Sequence, residues 1–88
     1  MFKVGEFYFD YDDIDVFEVV IIMPKTVVIK LRWASNLDRY ANDTQYCSIE
    51  FMNEFLEKGR FKHMNAELIP LFIFKYGLKE PVTRPGKK

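Results

Sequence analysis

The stretch IDVFEVVIIMPKTVVIKLRW, residues 14–33, decides the fold of this 88-residue chain. From Ile14 to Met23 it is dense in β-branched side chains, which restrict χ1 and favour extended backbone. Pro24-Lys25 breaks the run, and Thr26 to Trp33 resumes it. In Val27-Val28-Ile29-Lys30-Leu31-Arg32-Trp33 the odd positions are Val, Ile, Leu and Trp, and two of three even positions are basic. That period of two predicts a strand with one buried face and one wet face. The first run is apolar on both faces, which predicts a central place in the sheet.

Working outward, Phe2 to Phe9 reads as a strand that stops at the acidic, turn-prone Asp10-Tyr11-Asp12-Asp13. The three strands then form an antiparallel meander. Residues 34–45 are polar and read as a loop. Ser48 is a natural N-cap, after which Ile49, Met52, Phe55 and Leu56 line one helical face and Glu50, Asn53, Glu54 and Glu57 the other. Gly59 fits the residue just past the helix end. Arg60 to Met64 alternates as a short strand. Residues 65–69 suggest one helical turn stopped by Pro70, and Leu71 to Tyr76 reads as a strand ended by Gly77. The expected class is α+β: a small antiparallel sheet of four or five strands, with an SH3-like, partly open barrel as one form, and one amphipathic helix at 48–58. Residues 1–77 read as a single compact domain and 78–88 as a flexible basic tail.

Thirteen basic residues balance thirteen acidic ones, so net charge selects neither nucleic acid nor membrane as partner. The balance hides blocks. Residues 1–24 hold six acids and one Lys, and residues 58–88 hold eight bases and two acids. The opening residues show no basic segment leading an apolar one, and the longest apolar run, Val19 to Met23, is far short of the roughly 18 residues of a membrane span. A lone Cys47 fits a reducing compartment. Cytoplasmic placement is the expectation.

Few residues offer chemistry. Asp10, Asp12, Asp13 and Asp15 crowd one turn, where they serve as a solvated strand terminator or as an acidic patch for a basic partner. The cluster departs from a calcium-binding EF-hand loop, with Asp15 where glycine is needed and Ile21 where the closing Glu belongs. His63 is the only histidine and Cys47 the only cysteine, which removes multi-His and thiolate metal sites. A Cys47–His63 nucleophile pair lacks a third orienting group, and the four isolated glycines build no phosphate loop. The chain therefore reads as a non-enzyme without cofactor. Binding fits better. Arg32, Trp33, Arg39, Tyr40 and Tyr46 surround the 34–46 loop with the side chains that dominate interfaces. Arg60, Lys62 and Lys75, interleaved with aromatics, offer the alternative of a phosphate or nucleotide site, or a single-stranded nucleic-acid surface. Fifteen aromatics in so small a chain cannot all be buried, and exposed rings mark a protein partner or a homo-oligomer contact.

Val4-Gly5-Glu6-Phe7-Tyr8, the strand ending at Trp33, and the Ser48-to-Gly59 helix followed by Arg60-Phe61-Lys62 resemble small accessory proteins of bacteriophages, of the host-takeover or anti-defence kind. The resemblance is one of style and carries no site residues across. It implies a sheet-plus-helix or SH3-like fold in the host cytoplasm and a non-catalytic module that binds and inhibits a host enzyme or defence protein. Sequestering a nucleotide is the second role it implies.

Overall fold

Antiparallel pairing of Asp15–Ile22 with Thr26–Ala34 forms the centre of the molecule, and the other elements are laid against it. The computed structural model describes residues 1–35 and 44–80. In chain order the elements are β1 (Phe7–Asp10), β2 (Asp15–Ile22), β3 (Thr26–Ala34), β4 (Thr44–Ser48), α1 (Ile49–Glu57), β5 (Phe61–Met64) and α2 (Leu68–Tyr76). Five strands make one open antiparallel sheet in the order β4-β3-β2-β1-β5. The α+β class and the amphipathic helix are as the sequence predicts, and the doubly apolar β2 is the middle strand. The sheet keeps two separate edges rather than closing into a barrel.

Both faces of the sheet are covered. Tyr8, Phe17, Val19, Val27, Ile29 and Phe61 form one core with Met52 of α1. Their strand neighbours Phe9, Val16 and Met64 form a second core with Leu78, against which Leu68, Phe72, Ile73 and Tyr76 of α2 pack. Successive strand residues point to opposite faces, so α1 and α2 lie on opposite sides of the sheet. Aromatic rings supply most of the filling. Phe17 meets Phe61 edge-on at 5.1 Å, and Phe9 meets Phe72 edge-on at 4.9 Å, favourable geometries for the ring quadrupole.

Two bulges modify the simple alternation. Val16 pairs with Trp33 and Phe17 with Leu31, so Arg32 is an extra residue on β3. Trp33 is thereby moved off the face of Val27, Ile29 and Leu31, where strict alternation would put it, and half-buried beside Phe7 in the second core. Val20 is the matching extra residue on β2.

Three expectations are corrected. Leu71 to Tyr76 is part of α2, not a strand: a short apolar run without alternation suits either element, and Pro70 does not stop this one. It occupies the third helical position, where its missing N–H has no intrahelical partner to lose. The Asn65 Oδ1 accepts from the N–H groups of Glu67 and Leu68, both at 3.1 Å, and so caps the helix from outside it. Second, the polar segment after β3 ends earlier than expected, because Thr44 and Gln45 already belong to edge strand β4. Third, the first strand starts at Phe7, since Gly5, at φ 93°, turns the chain after the buried Phe2. Leu78 and Lys79 also belong to the fold: Leu78 is buried, and Lys79 exchanges backbone hydrogen bonds with Ala34 of β3. Residues 81–88 lie outside the described residues.

Phe9 is fully enclosed, so Phe9→Ala is expected to lower stability in urea denaturation by about 3–5 kcal/mol. Asn65→Ala, which removes only the external cap, is expected to cost about 1 kcal/mol.

Candidate functional site

The crossover between β4 and β5 builds the site. Antiparallel neighbours throughout make β4 and β5 parallel to one another, at opposite edges of the sheet. Four strand spacings of about 4.8 Å separate them, roughly 19 Å. The nine residues of α1 supply about 13.5 Å of that path. The helix starts at Ser48, whose Oγ accepts from the Phe51 N–H at 3.4 Å, beside the β2–β3 turn. It ends in a turn that needs glycine: Gly59 sits at φ 85°, its N–H donates to the Leu56 carbonyl, and the Arg60 N–H donates to the Phe55 carbonyl. This pair of bonds is the Schellman arrangement. It delivers Arg60 to the acidic turn joining β1 and β2, where the Arg60 carbonyl accepts from the Tyr11 N–H at 2.9 Å.

Asp10 organises that turn. Its Oδ1 accepts from the backbone N–H groups of Asp12 and Asp13, at 2.8 and 3.2 Å, and from Arg60 Nε at 3.0 Å. Its Oδ2 accepts from Arg60 Nη2 at 3.0 Å, which completes a two-pronged, charge-assisted pair. Asp12 and Asp13 approach the same guanidinium at 3.7 and 3.5 Å. Hydrogen bonding to Asp10, outweighing partial burial and aided by the three carboxylate charges, raises Arg60 above its ordinary value, so it is a permanent cation. The group also lies 4.6 Å from the centroid of the Phe55 ring. Ile14 closes the turn at φ 56°, a left-handed conformation that a β-branched residue adopts only at a cost of roughly 1–3 kcal/mol. Its side chain packs in the second core, and its N–H donates to the Asp10 carbonyl.

Among the described residues, α1 leaves one corner of the sheet face it covers unfilled. Ile29, Leu31 and Phe17 floor this groove of about 300 Å³, Met52 and the exposed Phe51 of α1 wall it, and Gln45 and Cys47 of β4 close the far side. Asp10, Asp13 and Asp15 line the end where Arg60 sits. Three aspartates, Asp10, Asp12 and Asp13, share the Arg60 guanidinium. Burial pushes the Cys47 thiol up, which keeps it protonated and a poor nucleophile. Cys47 and His63 stand on opposite edge strands, so they make no nucleophile–base pair. Among the described residues no group of His, Cys, Asp and Glu is arranged to hold a metal, and no helix is long and apolar enough to cross a membrane.

The fold distributes the sequence-derived candidates unevenly. Asp10, Asp12, Asp13 and Asp15 come together, with Asp10 and Asp15 buried and Asp12 and Asp13 exposed. Arg32 pairs with Glu18 and lies 5.6 Å from the Trp33 ring, so these two also meet, but on the face of α2. Tyr46 is 70% exposed on β4 and shares the face of Val28, away from the groove. Arg39 and Tyr40 lie outside the described residues. Arg60, Lys62 and Lys75 are not brought together: Arg60 is held by the acidic turn, Lys62 is in register with Phe9 on the opposite face, and Lys75 is on α2. Sequence reasoning missed the groove itself. Its one signal was Phe51, an apolar residue belonging to neither the buried nor the charged row of its helix.

Beyond the groove, Glu6 accepts from the Tyr8 hydroxyl at 2.8 Å and approaches His63 Nε2 at 3.2 Å. Burial raises Glu6, but the Tyr8 hydrogen bond, the His63 charge and the Lys3 N–H together outweigh it and leave Glu6 below its ordinary value of 4.5. Tyr8 is pushed up in turn, by burial and by its acidic acceptor.

Replacing Arg60 with Met strands the buried Asp10 carboxylate, and a loss of about 3 kcal/mol is expected in urea unfolding. The Asp10→Asn/Arg60→Met double variant should lose less than the two single variants combined. A depressed carboxylate stabilises the fold above its unfolded value and loses that contribution as pH falls through the folded one. Stability should therefore drop as pH falls below about 4.5, with a shallower drop in Glu6→Gln. Comparison of the chain with protein-family models, curated proteins and solved structures found no match, so the functional reading rests on the groove.

Proposed function

We propose that the chain is a non-catalytic protein-interaction module whose groove receives an apolar segment of a partner protein. The observation supporting it is the apolar lining of that groove beside the exposed ring of Phe51. Ile29, Leu31 and Phe17 offer a floor on which an aliphatic stem or ring loses water-exposed area. Covering a surface of an enzyme in this way would make the module an inhibitor, the role implied by its resemblance to phage accessory proteins.

Cys47 reports occupancy because it lines the groove. Short amidated peptides that join leucine to phenylalanine are expected to slow its alkylation by N-ethylmaleimide. Peptides with serine in place of both should give no protection. Phe51→Ser, which removes the exposed wall of the groove, should weaken protection several-fold. Equal protection by the apolar and the serine peptides would remove this reading.

A further inference from the structure

α2 is apolar nearly all the way round, yet only one side is covered. Leu68, Ile69, Phe72, Ile73 and Tyr76 pack against the second core, while Glu67, Pro70, Leu71, Phe74 and Lys75 face outward. Leu71 is 63% exposed and Phe74 is 89% exposed. A solvated surface helix ordinarily carries polar residues on that side.

The charges on this face are placed symmetrically. Glu67 stands four residues before Leu71 and Lys75 four residues after it. When two such helices lie antiparallel about a two-fold axis through Leu71, Glu67 of each copy meets Lys75 of the other. Leu71 then packs on Leu71 at the axis, and each Phe74 covers the Pro70 end of the opposite helix. The patch is therefore complementary to itself, the requirement for a two-fold interface. Antiparallel helix dipoles favour the same arrangement.

We infer that two copies of the chain associate through the outer faces of their α2 helices, with Leu71 on the two-fold axis and reciprocal Glu67–Lys75 pairs at its sides. A nine-residue helix presents a contact of about 13.5 Å, smaller than interfaces of standard size, so the dimer is expected to half-dissociate at tens of micromolar, on the order of 50 µM. Because α2 and the groove occupy opposite faces of the sheet, dimerisation leaves both grooves open and makes the particle bivalent. The inference does not depend on what the groove binds.

Sedimentation velocity across roughly 2–500 µM, a range bracketing the weak end of interface strengths, should show a reversible monomer–dimer equilibrium in the wild-type chain. Leu71→Asp should be monomeric throughout. Glu67→Lys sets lysine against lysine, Lys75→Glu sets glutamate against glutamate, and each is expected to dimerise about tenfold more weakly. Mixed together, those two single variants should form a heterodimer in native mass spectrometry, because both pairs are then restored. Circular dichroism of each variant checks that it remains folded. A wild-type chain monomeric at the highest concentration overturns the inference. So does a dimer indifferent to all three substitutions, and so does binding of the monomer's α2 to phosphatidylcholine vesicles in place of self-association.

Discussion

The two-pronged bond between Asp10 and Arg60 is the contact on which the remaining architecture depends. It joins residues 50 positions apart in the chain. Burial of rings would draw α1 onto the sheet in several positions, since apolar contact is not directional. A carboxylate with both oxygens committed to one guanidinium accepts far fewer. Once Arg60 is seated, β5 lies alongside β1, and among the described residues a corner of the sheet face is left unfilled by the helix before it. The candidate groove is thus a by-product of where the crossover lands.

The two helices act as straps on opposite faces. α1 carries the chain from edge β4 to edge β5, and α2 returns it across the other face until Lys79 joins Ala34 at the end of β3. Each strap covers a core of its own, and the sheet between them is shared by both. This explains the heavy use of aromatics, which fill such thin layers with few residues. It also explains why Phe51, Tyr46 and Phe74 remain exposed: two narrow straps leave more apolar rim than one broad cover would.

Much of this was legible in the residues. The β-branched runs on either side of Pro24-Lys25 specified the central hairpin, and Ser48 and Gly59 marked the true ends of α1, because caps and alternation are local properties. α2 was not legible, since Leu71 to Tyr76 lacks a period and Pro70 imitates a stop. Its identity depends on the second core, which no local pattern displays. Trp33 was misplaced on its strand for a similar reason: the bulge at Arg32 is set by pairing with β2. Of the candidate site, the acidic turn could be read directly. Its cation could not, because Arg60 reaches Asp10 only through the whole crossover.

The open sheet has a consequence for how the protein survives at high concentration in a cell. Each unpaired edge is a template for further strands and hence for fibre growth. β4 and β5 are short, at five and four residues, and neither offers a flat hydrophobic row. β4 alternates exposed and half-buried residues, and β5 exposes Lys62 and His63 at its middle. A lysine pointing from a four-residue edge leaves an incoming strand little to copy, so the sheet is blunted against stacking by its own terminal strands.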